Sequence, residues 1–438
     1  MTGMVGGKAL DEHPTALTVF ILAPLFFLMP FGEWQNLLLA GLTAQQVIVP
    51  AVVLLIFIFQ ARRFAFHPFA WLMLLFVMLT TPSFLTSTEY FPLFLAIAGG
   101  FVMVSLVTNG VESFRDIQWL LRAYLAGMAV ISVAVAVALL RGPDLGTVIG
   151  HPLLRPGWFG LPFLQGTESN STAFAIFYAI GLPIAFSEFL TARRWGARIA
   201  FGALFLLMGV ELLITFTRSA MLGAAISVSI VAYYTLSRRA KIILATLIGV
   251  VAFFLGVLIL GFLAGAGSSS NEIIRGINGL LSMKEESTMI HGQVFEGAVD
   301  LAFSSPPWGL GFLNLPDAMR LLTGHTLSAH NSYLTIWIEF GLLAALVFTA
   351  FYLGCIYESW RTTRLSLDNR ERSSLAAVTG IAISLALSSL FHDDYVNSAI
   401  WSFFGLALAT GWVKRPGTSW RRLASGLIPR HKQASATF

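Results

Sequence analysis

Charge is what this sequence has least of. Only 11% of its 438 residues are Asp, Glu, Lys or Arg, and 56% are hydrophobic. Soluble domains carry about 25% charged residues, so a soluble globular class is excluded. Cysteine is almost absent. Cys355 stands alone, which excludes an intrachain disulfide and a cysteine-based metal cluster. No P-loop, dinucleotide fingerprint, zinc motif or serine nucleophile elbow occurs. No internal repeat is visible either, so two transporter halves are not expected. The first apolar segment follows Asp11, Glu12 and His13 and ends in Phe31-Gly32-Glu33-Trp34. It has no small-residue cleavage site, so it reads as a retained span and not as a signal peptide.

What the chain has is apolar runs of membrane-spanning length. Twelve are expected, near 15–31, 40–60, 67–83, 91–108, 118–140, 171–190, 197–215, 219–236, 241–264, 330–356, 373–391 and 396–413. The fold class is therefore an all-α integral membrane protein, with residues 1–438 forming a single polytopic membrane domain. Threading twelve spans puts the basic clusters on one side: Arg62-Arg63, Arg115 with Arg122, Arg193-Arg194 with Arg198, Arg238-Arg239 with Lys241, and those of 361–372 and 414–432. Of 27 Lys and Arg, six fall opposite: Arg141, Arg155, Arg218, Arg275, Lys284 and Arg320. The Lys and Arg bias makes the rich side cytoplasmic, together with both termini.

Two long segments are then external. Residues 141–170 form a loop rich in Gly and Pro. Residues 265–329 form a large one, opening at Gly265-Ala266-Gly267-Ser268, with helix expected near 271–283 and 289–303 and an end at Pro306-Pro307-Trp308-Gly309-Leu310-Gly311. Loops of this size on a scaffold are usually functional. Residues 414–438 form a basic cytoplasmic tail suited to lipid headgroups.

Few residues in such a chain can carry chemistry. Arg218, in Thr215-Phe216-Thr217-Arg218-Ser219-Ala220, sits at the external end of a span pair. Its planar guanidinium suits a lipid-borne phosphate, while the plainer alternative is an arginine snorkelling to headgroups. His330 and Asn331 open the tenth predicted span. Asn331 or Ser332 there reads first as a helix cap. A helix N-terminus disfavours a charged imidazole, which would leave His330 able to accept a proton. Glu211 and Glu339 lie inside apolar spans. Glu339 follows His330 by nine residues, on the opposite helix face and two turns deeper, which rules out a dyad within one helix. Glu211 reaches Arg218 only through an intermediary. His392-Asp393-Asp394-Tyr395 fills the last external turn, where two acids beside a histidine could bind a metal or orient a base, and a solvated tight turn is the commoner case. Arg275, Lys284, His291 and Arg320 make 265–329 a platform for an anionic ligand, tempered by Glu272, Glu285, Glu286, Glu296, Asp300 and Asp317.

Three segments in order, Thr215 to Ala224, Pro307 to Phe312, and His330-Asn331-Ser332-Tyr333-Leu334 through Glu339-Phe340-Gly341-Leu342, resemble the O-antigen ligase and polymerase superfamily of bacterial envelope glycosyltransferases. Ser169-Asn170-Ser171-Thr172-Ala173 is similar as well. The likeness covers residues 165–410. It implies that a glycan on undecaprenyl diphosphate moves to an acceptor hydroxyl at the periplasmic face of the inner membrane. In a ligase the acceptor is lipid A-core; in an O-antigen or exopolysaccharide polymerase it is a growing polysaccharide. Arg218 matches the cation that neutralises the leaving diphosphate, and His330 the histidine credited with general-base work. Asn331, Tyr333, Arg275, His291 and Arg320 are the expected substrate contacts. No metal, no cofactor and no nucleic acid is implied; membrane lipids are. The sequence departs from the family twice. Thr288-Met289-Ile290-His291-Gly292 stands where an arginine is usual, and Trp308-Gly309-Leu310-Gly311 lacks one spacer residue. The rival from another class is a transporter of lipid-linked glycans. It requires an ionisable path across the bilayer, which two buried acids do not make.

Overall fold

Apolar length makes the helices of this chain, and small residues decide which of them touch. The computed structural model describes residues 20, 22–31, 67–85, 91–141, 147–148, 151–152, 154–156, 162–164, 171–215, 217–241, 286–312, 315, 318–320, 329–392 and 398–413. The helices in chain order are α1 (Ala23–Leu28), α2 (Ala70–Leu85), α3 (Phe91–Gly110), α4 (Phe114–Arg141), α5 (Ser171–Thr191), α6 (Trp195–Ile214), α7 (Arg218–Thr235), α8 (Glu286–Ser304), α9 (Ser332–Phe340), α10 (Leu342–Leu365), α11 (Asn369–Ser388) and α12 (Ser398–Val413). Between α4 and α5 run two short antiparallel ribbons, β1 (Thr147–Val148) with β2 (His151–Pro152) and β3 (Leu154–Pro156) with β4 (Pro162–Leu164). They give the expected Gly- and Pro-rich loop some regular structure.

Among the described residues, four helices are long and apolar enough to cross a membrane: Phe114–Leu140, Ala173–Thr191, Trp195–Ile214 and Leu342–Leu365. Shorter apolar helices cover Ala70–Phe84, Phe94–Gly110 and Ala399–Val413. The chain is thus a helical membrane protein, and the count of twelve spans stays an expectation. The predicted spans 40–60 and 241–264, the helix near 271–283 and the tail 414–438 lie outside the described residues. The α8 helix covers the one expected near 289–303.

Helices α7 and α11 are less apolar because they press small residues together. Ala220, Gly223, Ala224, Ser227 and Val231 form the buried stripe of α7, at helical spacing. A Cβ on Gly223 would overlap the Ser384 hydroxyl, and one on Gly380 would lie 2.8 Å from Ser227 Cα. Ser227 Oγ donates to the carbonyls of Gly223 and Gly380, each at 2.8 Å. Such small-residue contacts let two backbones approach closely inside a membrane. The pairing is antiparallel, so the start of α7 meets the end of α11.

The two ends of the bundle differ in charge. At one end Ser187 meets Ser373 at 2.8 Å, and Arg122 forks onto Glu188 at 3.0 and 2.9 Å. The basic groups of 193–198, 238–241 and 361–372 fall at this end. Arg218 falls at the other, since α6 carries the chain about 30 Å between them.

The tenth predicted span, 330–356, is not one helix. Tyr333 packs its ring on Phe348 and Tyr352, with centroids 5.7 and 6.1 Å away. In a continuous helix Tyr352 would stand about 28 Å further along. The chain instead reverses at Gly341, whose φ is 92°, and α9 lies back against α10. Glu339 is therefore not two turns deeper in a span; it sits beside the reversal.

The segment 306–312 is what holds that reversal. The amides of Leu310 and Gly311 donate to the carbonyls of Ile338 and Glu339 at 2.7 and 3.0 Å, satisfying acceptors that a helix C-terminus leaves open. Gly309 and Gly311 have φ of 82° and 85°, a region that favours glycine. A Cβ on Gly341 would strike the Pro307 carbonyl, and one on Gly309 the Glu339 carbonyl. Phe312 stacks on Phe340 with an interplanar angle of 3°. The glycines of the two motifs are thus a matched pair of close backbone approaches.

Candidate active site

The far end of the bundle gathers the starts of α7 and α9 and the exit of α11. Arg218 is the first residue of α7 and is exposed. Thr217, in the cap position, makes no side-chain cap; its hydroxyl donates to the Thr215 carbonyl at 3.3 Å. Helix α7 thus opens with a guanidinium where the helix dipole is already positive. A cation there does not stabilise the helix. The two positive features add up towards an anion instead.

The start of α9 is built the opposite way. Asn331 Oδ1 accepts from the amides of Tyr333 and Leu334, both at 3.0 Å. The Ser332 amide donates to the Ser389 and His392 carbonyls at 2.8 and 3.2 Å. Immediately before this closed turn His330 holds φ 47°, and no other non-glycine among the described residues has a positive φ. That conformation costs about 1–2 kcal/mol for an L-residue. Strain of this kind persists only where the surroundings over-determine it, and it clusters at functional sites. Here the Asn331 cap and the doubly bonded Ser332 hold the backbone on one side. His330 itself is half-buried.

One residue touches both helix starts. His392 Nε2 lies 2.6 Å from Ser219 Oγ, and the His392 carbonyl accepts from Ser332 Oγ at 2.6 Å. Arg218 adjoins Ser219, and His330 is two residues before Ser332. The two expected catalytic residues therefore flank a single hydrogen-bonded link.

The remaining expected contacts divide. Asn331 caps α9. Tyr333 donates its hydroxyl to the Ala386 carbonyl at 2.9 Å and ties α9 to α11. His291 lies on α8, whose buried residues Val294, Ala298 and Ala302 form a small second core with Met319, Ala329 and Ile338. Arg320 follows Met319 in that core and is exposed. Arg275, Asp393 and Asp394 lie outside the described residues. Glu211 is fully buried. Its carboxyl faces the Ser132 and Tyr178 hydroxyls, without a well-formed hydrogen bond among them. The sequence places His392 in a solvated turn and does not reveal its contact with Ser219 or the Gly341 reversal. Serine and histidine at two distant positions carry no local signal, whereas Gly309, Gly311 and Gly341 were visible in the motifs.

The stretch that carries most of this geometry matches a known family, described as O-antigen ligase, over residues 203–349. The match supports a likeness of this segment to the O-antigen ligase and polymerase superfamily. Both Arg218 and His330 lie within the matched segment. No curated protein matches it. Among solved structures, a chain from work on how a peptidoglycan synthase complex coordinates polymerization and crosslinking has a TM-score of 0.45 and 16% identity. The alignment covers 80% of the present chain and 98% of that one.

Proposed function

We propose that this protein is a glycosyltransferase that moves a glycan from undecaprenyl diphosphate to an acceptor hydroxyl, and that it acts as an O-antigen ligase on lipid A-core. What supports the proposal is that Arg218, at a helix start without a side-chain cap, and His330, beside a capped one, adjoin the two serines that His392 links.

The acceptor oxygen attacks the anomeric carbon, and the bond from that carbon to the diphosphate oxygen breaks. The acceptor proton passes to the His330 imidazole, and the electron pair leaves with the diphosphate. Charge grows on the diphosphate as it departs. Arg218 and the first turn of α7 offer it a fixed positive field, which needs no rearrangement at the moment of reaction. His330 supplies the proton acceptor, worth typically about 10²–10⁴-fold. A second phosphate contact falls to the segment holding His291, Arg320 and Arg275, and Asn331 and Tyr333 hold the His330 side of the substrate site. No metal takes part in this scheme. The basic end of the bundle faces the cytoplasm by the positive-inside rule. The site then opens on the periplasmic side of the inner membrane.

The test is reconstitution of the full chain with an undecaprenyl-diphosphate-linked oligosaccharide and, separately, lipid A-core and a second lipid-linked oligosaccharide as acceptors. Glycan on lipid A-core, unaffected by EDTA, is the expected product. Elongated lipid-linked glycan instead would make the protein a polymerase, and no transfer to either acceptor would end the proposal.

A further inference from the structure

Resting on that transfer reaction, we propose that His392 is a positioning residue that holds the Arg218 arm and the His330 arm in register. Three observations converge on it. Its ring nitrogen lies 2.6 Å from Ser219, in the first turn of α7. Its carbonyl accepts from the Ser332 hydroxyl at 2.6 Å and from the Ser332 amide at 3.2 Å, at the first residue of α9. Its own chain is fixed by the turn that closes α11, where Leu390 and Phe391 donate to the carbonyls of Leu387 and Ser388 at 3.0 and 2.8 Å.

A residue gripped through its ring by one helix and through its main chain by another passes the displacement of either to the other. Ser219 is 173 residues from His392 in sequence, and Ser332 is 60, so neither contact follows from local chain geometry. The two groups they adjoin must act on opposite ends of one transfer, the leaving phosphate and the acceptor oxygen. A misplacement of about 1 Å between such groups costs on the order of 10²-fold in rate. The alternative for a histidine in an external turn is solvation, which would not engage both helix starts.

The experiment uses the full chain in lipid nanodiscs with an undecaprenyl-diphosphate-linked oligosaccharide as donor and lipid A-core as acceptor. For His392→Ala we expect kcat to fall about 10²-fold and the donor KM to rise, with the melting temperature close to that of the unsubstituted protein. His392→Gln keeps a polar group near the ring nitrogen and should recover most of the loss. Ser219→Ala should mimic the ring's removal, and the double variant His392→Ala/Ser219→Ala should be no worse than His392→Ala, as for residues sharing one interaction. Misfolding alone would lower the apparent kcat, leave the donor KM unchanged and depress the melting temperature; that pattern, or unaltered kinetics in His392→Ala, overturns the assignment of His392 alone. An unsubstituted protein that transfers nothing overturns the parent reaction and this role together.

Discussion

The starts of α7 and α9 lie at the same end of the molecule and are built in opposite ways. At α9 an asparagine cap and two main-chain carbonyls take up the first amides. At α7 the cap residue turns its hydroxyl back to Thr215, and an arginine occupies the first helical position. A closed helix start fixes geometry, and the residue it fixes is a histidine in a strained conformation. An open one leaves a positive field for something to enter. In the proposed reaction the contrast separates the two tasks of group transfer, holding a proton acceptor still and receiving a departing anion.

The largest effect expected from disturbing this contrast is at His330. His330→Ala should lower the single-turnover transfer rate by about 10²–10⁴-fold, with membrane insertion intact. Arg218→Ala should cost about 10²–10³-fold in kcat, measured with saturating acceptor. Arg218→Lys should fall between, since it keeps the charge and loses the planar fork. Gly341→Ala should destabilise the folded protein by about 1–3 kcal/mol from its backbone conformation alone, read as a lower melting temperature, and the clash with Pro307 adds to that. Asn331→Ala should cost about 1 kcal/mol in the same assay, with Asn331→Asp retaining most of it.

How much of this was visible in the sequence depends on the forces involved. Helices such as 114–141 and 195–214 follow from long, mostly apolar runs, and the reading of 118–140 and 197–215 falls within a few residues of them. Arg218 and His330 stood out because an ionisable group is rare in such a chain. The reversal at Gly341 did not, because Ile336-Trp337-Ile338 and Leu342-Leu343 are equally apolar on both sides and hydropathy does not sense direction. Its cause is long-range, the insertion of Pro307–Gly311 against Gly341. His392 was hidden for a similar reason. As part of an Asp-rich turn it looked solvated, and only the antiparallel seating of α11 on α7 brings it to Ser219.

The sharpest test of the central contrast is to close the open start and measure binding of undecaprenyl diphosphate to the full chain in nanodiscs. Thr217→Asp supplies a carboxylate suited to capping α7 and should preserve or raise the melting temperature. The predicted result is binding at least about tenfold weaker, equivalent to 1.4 kcal/mol, in both Thr217→Asp and Arg218→Ala. Undiminished affinity in both variants would contradict the account.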